Sequence, residues 1–115
     1  MDEIASAEIL DMDVFNQLKQ LFGDNFDFGV DQFKTNALKN ITNIEQAIEQ
    51  SDVELLERSA HSLKGASGQF GASYLSSLAS EMEVFGREGD VDKARENIAR
   101  LRDAYEQISA LMAAS

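Results

Sequence analysis

Apolar residues along this chain recur at steps of three and four, the spacing that lines one face of an α-helix. The longest series is Val91, Ala94, Ile98, Leu101, Tyr105, Ile108 and Met112. Leu75, Leu78, Met82 and Phe85 repeat the pattern upstream, after Val53, Leu56, Ala60, Leu63, Ser67 and Phe70. Phe33, Ala37, Ile41, Ile44 and Ile48 make a further seam, and a shorter one holds Val14, Phe15, Leu18, Leu21 and Phe22. No segment alternates with period two for long enough to be a strand. Asp13, Asp24, Asp52 and Asp90 stand before periodic runs, where a side-chain oxygen accepts from free backbone N–H groups. Gly23, Gly71 and Gly89 stand where helices should stop. Together these marks predict helices over about 12–22, 25–50, 53–70, 73–87 and 91–113. Connections this short make consecutive helices antiparallel. The expected fold is all-α, an antiparallel up-and-down four-helix bundle with a short additional N-terminal helix capping one end. There are no repeats and no linker, so residues 1–115 read as a single domain, with 1–10 a loose N-terminal segment.

Composition narrows the function. A hydrophobic share of 43% is ordinary for a globular protein, and no apolar run approaches the roughly 20 residues of a bilayer span. The start of the chain is acidic, unlike a signal peptide, and there are no cysteines. Both features predict a cytoplasmic protein. A formal charge of −11 repels polyanions, which argues against nucleic acid or an anionic membrane as partner. One histidine without cysteine cannot build a typical zinc site. No Walker or kinase glycine-rich motif is present to cradle ATP.

The segment from His61 to Gly71 departs from generic bundle sequence. Gly65 and Gly68 interrupt a helix of good periodicity, each costing about 1 kcal/mol relative to alanine. On a helical wheel His61 falls roughly 130° from the centre of the apolar seam and points outward. Gly65 and Gly68 follow on the same exposed stripe, and Lys64 stands beside them. The result is an imidazole next to an ammonium, above a floor without side chains that another protein surface can approach closely. A neutral imidazole is a good nucleophile towards phosphorus, and a nearby ammonium offsets the charge of a phosphoryl group. Ser67 falls on the seam as a small packing residue.

These residues carry a resemblance. His61-x-Leu63-Lys64-Gly65-Ala66-Ser67-x-x-Phe70-Gly71-Ala72 closely resembles the phosphoacceptor motif of histidine-containing phosphotransfer (HPt) domains. The likeness runs from about residue 11 to 112 and includes Ser51-Asp52 and the turn Arg87-Glu88-Gly89-Asp90. It implies a four-helix-bundle phosphocarrier that takes a phosphoryl group from a receiver-domain aspartate and passes it to another receiver. His61 would be the phosphoacceptor through Nε2, and Lys64 would stabilise the phosphate charge. Gly65 and Gly68, with Arg58 and Ser62, would form the docking surface. Partners would be receiver domains of response regulators or a hybrid sensor kinase, which supply the Mg²⁺. The chain itself would need no cofactor or metal, would lack ATP-dependent kinase activity, and would act as a monomer.

Glu83 enters by geometry. His61 lies ten residues before Gly71 and Glu83 twelve after it, roughly 15 and 18 Å from the turn at 1.5 Å per residue. The two therefore stand at similar height on adjacent helices, and in HPt proteins the matching position often contacts the active histidine. A carboxylate accepting from Nδ1–H would leave Nε2 free to attack. Arg58 and Arg87 read as solvated surface or as contacts to a partner's acidic site. Among alternatives, a kinase dimerisation helix pair commonly has a proline near its histidine, and this chain has none. A chemotaxis-type phosphoacceptor module shares the bundle and the motif. A bundle that only binds other proteins would not need His61 in this company.

Overall fold

Three of the five helices begin where a carboxylate caps backbone N–H groups, and three end at a residue with positive φ. The computed structural model describes residues 9–114. Helix α1 (Met12–Phe22) starts at Asp11, whose Oδ1 accepts from the N–H groups of Asp13 at 3.1 Å and Val14 at 3.3 Å. The expected cap, Asp13, instead lies in the first turn, where its charge faces the positive end of the helix dipole. Nor does Asp24 cap the next helix. It sits in a 3₁₀ turn over Gly23–Asn25, and α2 (Phe26–Gln50) follows without a side-chain cap. Asp52 caps α3 (Val53–Gln69) through the N–H of Leu55, and Asp90 caps α5 (Val91–Ala114) through that of Lys93. Between them, α4 (Ser73–Glu88) follows Gly71, at φ 79°, and closes at Gly89, at φ 72°.

The four long helices α2–α5 pack as an antiparallel bundle, each against its sequence neighbours, and α5 returns against α2. Arg102 fixes that last contact, giving Glu45 two hydrogen bonds of 3.0 and 2.7 Å, and the Tyr105 hydroxyl donates to Lys34 O. The centre is filled by fully buried Ile41, Ile44, Leu56, Leu63, Leu75, Met82, Leu101 and Ile108. No helix among the described residues is long and apolar enough to cross a membrane.

Helix α1 lies over the bundle end that holds the α3–α4 turn. Phe15 is fully buried there against the edge of Phe26, with ring centroids 5.0 Å apart. Only that face of α1 is covered, so Leu21 and Phe22, expected on the seam, are exposed. The N-terminal segment also differs from expectation. Residues 1–8 lie outside the described residues, but Ile9 and Leu10 are buried in the core, and the Asp11 N–H donates to Gly71 O at 2.7 Å. The chain is thus tied down before α1 begins.

Ser51 ends α2 in the left-handed region, at φ 53° and ψ 37°. A Cβ there costs about 1–2 kcal/mol, partly offset on replacement by the greater unfolded-state freedom of glycine. Ser51→Gly is therefore expected to stabilise the domain by about 0.5–1 kcal/mol and raise Tm by about 2–5 °C. A thermal melt followed by circular dichroism measures this, and an unchanged or lower Tm contradicts it.

Candidate functional site

The burial of Leu56, Ala60, Leu63 and Ser67 against the bundle fixes the rotation of α3. His61 is consequently turned outward, with 67% of its side chain exposed. On α4, Leu75, Ala79, Met82 and Gly86 are buried, and this inward stripe carries Glu83 with it. Glu83 is only 6% exposed, much deeper than a residue at the edge of a seam.

The buried carboxylate meets two hydrogen-bond partners and a third cation. His61 Nδ1 lies 2.8 Å from Oε2, and Lys64 Nζ donates to Oε1 at 2.6 Å. Arg87 Nη2, one turn along α4, stands 3.5 Å from Oε2 and also reaches Glu57 through Nε at 3.4 Å. The hydrogen bond from Lys64 lowers the Glu83 carboxyl below its ordinary 4.5, helped by that from His61 and by both charges, against burial, which raises it. The group is ionised at neutral pH, and an ionised carboxylate only accepts. The proton shared with His61 is therefore on Nδ1. In the neutral ring the lone pair is then on Nε2, which has no protein partner among the described residues, on a side chain that is mostly exposed.

Lys64, which the sequence placed beside His61, is half-buried and paired with Glu83. Its main-chain carbonyl accepts from Ser76 Oγ on α4 at 3.0 Å. Gly65 and Gly68 are exposed, as are Ser62 and Arg58. A Cβ at Gly65 would meet nothing within 4 Å, and one at Gly68 only Ser76 Oγ at an ordinary 3.5 Å. Neither glycine is required by packing among the described residues. Ser67 is buried as expected for a packing residue, with its Oγ unpartnered. Arg58, Lys64 and Arg87 are the three basic residues of α3 and α4, all near His61. No group of three or more acidic or histidine side chains among the described residues is arranged to hold a metal.

Two residues of this neighbourhood were not visible as such in the sequence, Ser76 and Gly86. Ser76 is one of several serines in α4 with nothing to mark it. Gly86 does carry a signal, since it is an interior helix glycine three residues after Glu83.

The sequence matches the Hpt domain family model over residues 30–111. Two solved structures share the fold. The histidine-containing phosphotransfer protein B of Pseudomonas aeruginosa superposes with a TM-score of 0.89 at 26% identity, over 92% of each chain. A rice protein assigned as a histidine-containing phosphotransfer protein superposes with a TM-score of 0.82 at 23% identity, over 92% of this chain and 79% of that one. No curated protein matches the sequence.

The lowered Glu83 carboxyl makes a pH prediction. Folding favours its ionised form, so its contribution to stability is full above 4.5 and is lost as pH falls through the lower folded-state value. The stability gap between the parent and Glu83→Gln should therefore close in acid. Urea midpoints measured from about pH 6 to about pH 3 test this, and a gap that stays constant or widens in acid contradicts it.

Proposed function

Belonging as it does to the Hpt domain family, the chain is a phosphotransfer carrier in two-component phosphorelays, and we propose that His61 is the residue that carries the phosphoryl group. The observation that carries this reading is the 2.8 Å contact of His61 Nδ1 with a buried, ionised Glu83, which holds a proton on Nδ1 and so puts the lone pair of the neutral, mostly exposed ring on Nε2. In the reaction, the Nε2 lone pair forms a bond to the phosphorus of a receiver aspartyl phosphate. The bond from phosphorus to the aspartyl oxygen breaks, and the aspartate leaves as a carboxylate. The imidazole ring becomes positively charged, with its proton still on Nδ1, and Glu83 stabilises that charge at the point where it develops. Lys64 swings its flexible stem to share its ammonium between Glu83 and the equatorial phosphoryl oxygens. Return of the group to a second receiver reverses the same bonds.

The partner would bring the acyl phosphate and the Mg²⁺. Arg58 and Arg87 would then flank the partner's acidic site, and Gly65, Gly68 and Ser62 would lie beneath its surface. No nucleotide motif accompanies His61, so the chain would take phosphate from a receiver and not from ATP.

Incubation with a phosphorylated receiver is expected to yield an acid-labile, alkali-stable label that His61→Gln abolishes. Label on a serine, label surviving in His61→Gln, or self-labelling with ATP and Mg²⁺ would each contradict the proposal. The docking floor has a separate test in Gly65→Gln and Gly68→Gln. Both should keep the fold and gain up to about 1 kcal/mol of helix stability. Transfer should slow at least about tenfold, equivalent to about 1.4 kcal/mol, because the new side chain stands where the receiver must pass. Well-folded variants that transfer at the parental rate would show that the receiver docks elsewhere.

A further inference from the structure

We infer that Gly86 is a positioning residue for the phosphoacceptor, setting the approach of α4 to α3 that brings the Glu83 carboxylate to His61 and Lys64. Gly86 is buried on the face of α4 that carries Glu83, one turn further on. A Cβ built there would stand 2.6 Å from the backbone N of Glu57, 2.9 Å from its Cα and 3.0 Å from its Cβ. Two of those atoms are main chain, so no rotamer change relieves the overlap, and the helices would have to separate or slide. Glu57 in turn lies one turn before His61 on α3. The tightest point of the seam is thus adjacent, on both helices, to the 2.8 Å contact of His61 with Glu83.

The seam is fixed on the other side of the site as well. Ser76 Oγ donates to Lys64 O at 3.0 Å, so α3 and α4 are pinned beyond Glu83 while Gly86 allows contact before it. A methyl group at residue 86 would therefore tilt α4 away at one end. Glu83 is buried and already held by bonds of 2.6 and 2.8 Å, with little room to follow. Misplacement of a positioned group by about 1 Å can lower a rate by up to about a hundredfold. Gly86 differs in this from Gly65 and Gly68, whose missing side chains face open space or an ordinary contact.

The inference rests on His61 as phosphoacceptor, but its first readout needs no partner. His61 is the only histidine, so long-range ¹H–¹⁵N spectra report its tautomer without ambiguity. The parent should show the proton on Nδ1. Gly86→Ala should shift the equilibrium towards the Nε2–H form and slow transfer from a phosphorylated receiver about tenfold. In the Glu83→Ala background the same substitution should change the rate by less than about twofold, because the contact it disturbs is already gone. A parental tautomer, a parental rate, or full slowing in the Glu83→Ala background would each overturn the inference. If Gly86→Ala is unfolded in buffer, the spectra are recorded with trimethylamine N-oxide, which favours compact states. Failure to fold even then would assign Gly86 to bundle packing alone and overturn the inference too. If instead the label survives in His61→Gln, the phosphoacceptor reading fails while the tautomer result still stands.

Discussion

A carboxylate taken almost out of water between two helices must be met by donors, or the helices will not stay together. Glu83 is that group, and its demands fix much of what surrounds it. Lys64 and His61 come from α3, Arg87 from its own helix, and all lie within 3.5 Å of its oxygens. These contacts hold only if α3 and α4 are close and in one register. Gly71, at φ 79°, makes the tight turn that sets the register, and Ser76 and Gly86 keep the seam narrow on either side. The polar contact and the apolar packing behind it are therefore one construction. Leu63 and Met82 fill the interior that faces away from the same seam.

The arrangement separates an inner nitrogen from an outer one. Nδ1 is engaged by a group the solvent hardly reaches, whereas Nε2 faces out on a ring that is mostly exposed. A histidine with both nitrogens in water would divide its proton between them. Here the carboxylate makes that choice in advance, so a reaction at Nε2 would need no reorganisation of the proton. The surrounding charge follows the same division. The chain carries −11 overall, yet the basic residues of α3 and α4 gather around His61.

Periodicity made the five helices legible because it reports which side of each helix is apolar. It does not report what covers that side. Leu21 and Phe22 continue the apolar series of α1 beyond the part that meets the bundle, so they are exposed despite fitting the pattern. Ile9 and Leu10 precede any repeat, so their burial could not be read from spacing. Capping failed in a similar way, since Asp11 and Asp13 are both plausible caps and only the turn geometry distinguishes them. At the site, His61 and the two glycines after it were legible from helix phase alone. Glu83 could be placed at the right height, but not at its depth. Lys64 was read by its proximity to His61, and its bond to Glu83 depends on a neighbouring helix that spacing along α3 cannot see.

The interior glycines of α3 and α4 divide by what their missing side chains would touch. Each weakens its helix by about 1 kcal/mol, and such a cost calls for a compensating contact. At Gly86 the contact is internal, because the backbone of Glu57 occupies the space a Cβ would need. At Gly65 there is nothing within 4 Å, and at Gly68 only a serine hydroxyl at ordinary distance. No contact within the chain among the described residues accounts for those two. Their backbones are also not in the positive-φ region that would favour glycine. A surface that stays bare beside an oriented nucleophile, at a cost to its own helix, is shaped for something outside the chain. On the proposed reading, the internal glycine would bring the carboxylate to the histidine, and the external pair would leave the histidine open to a partner.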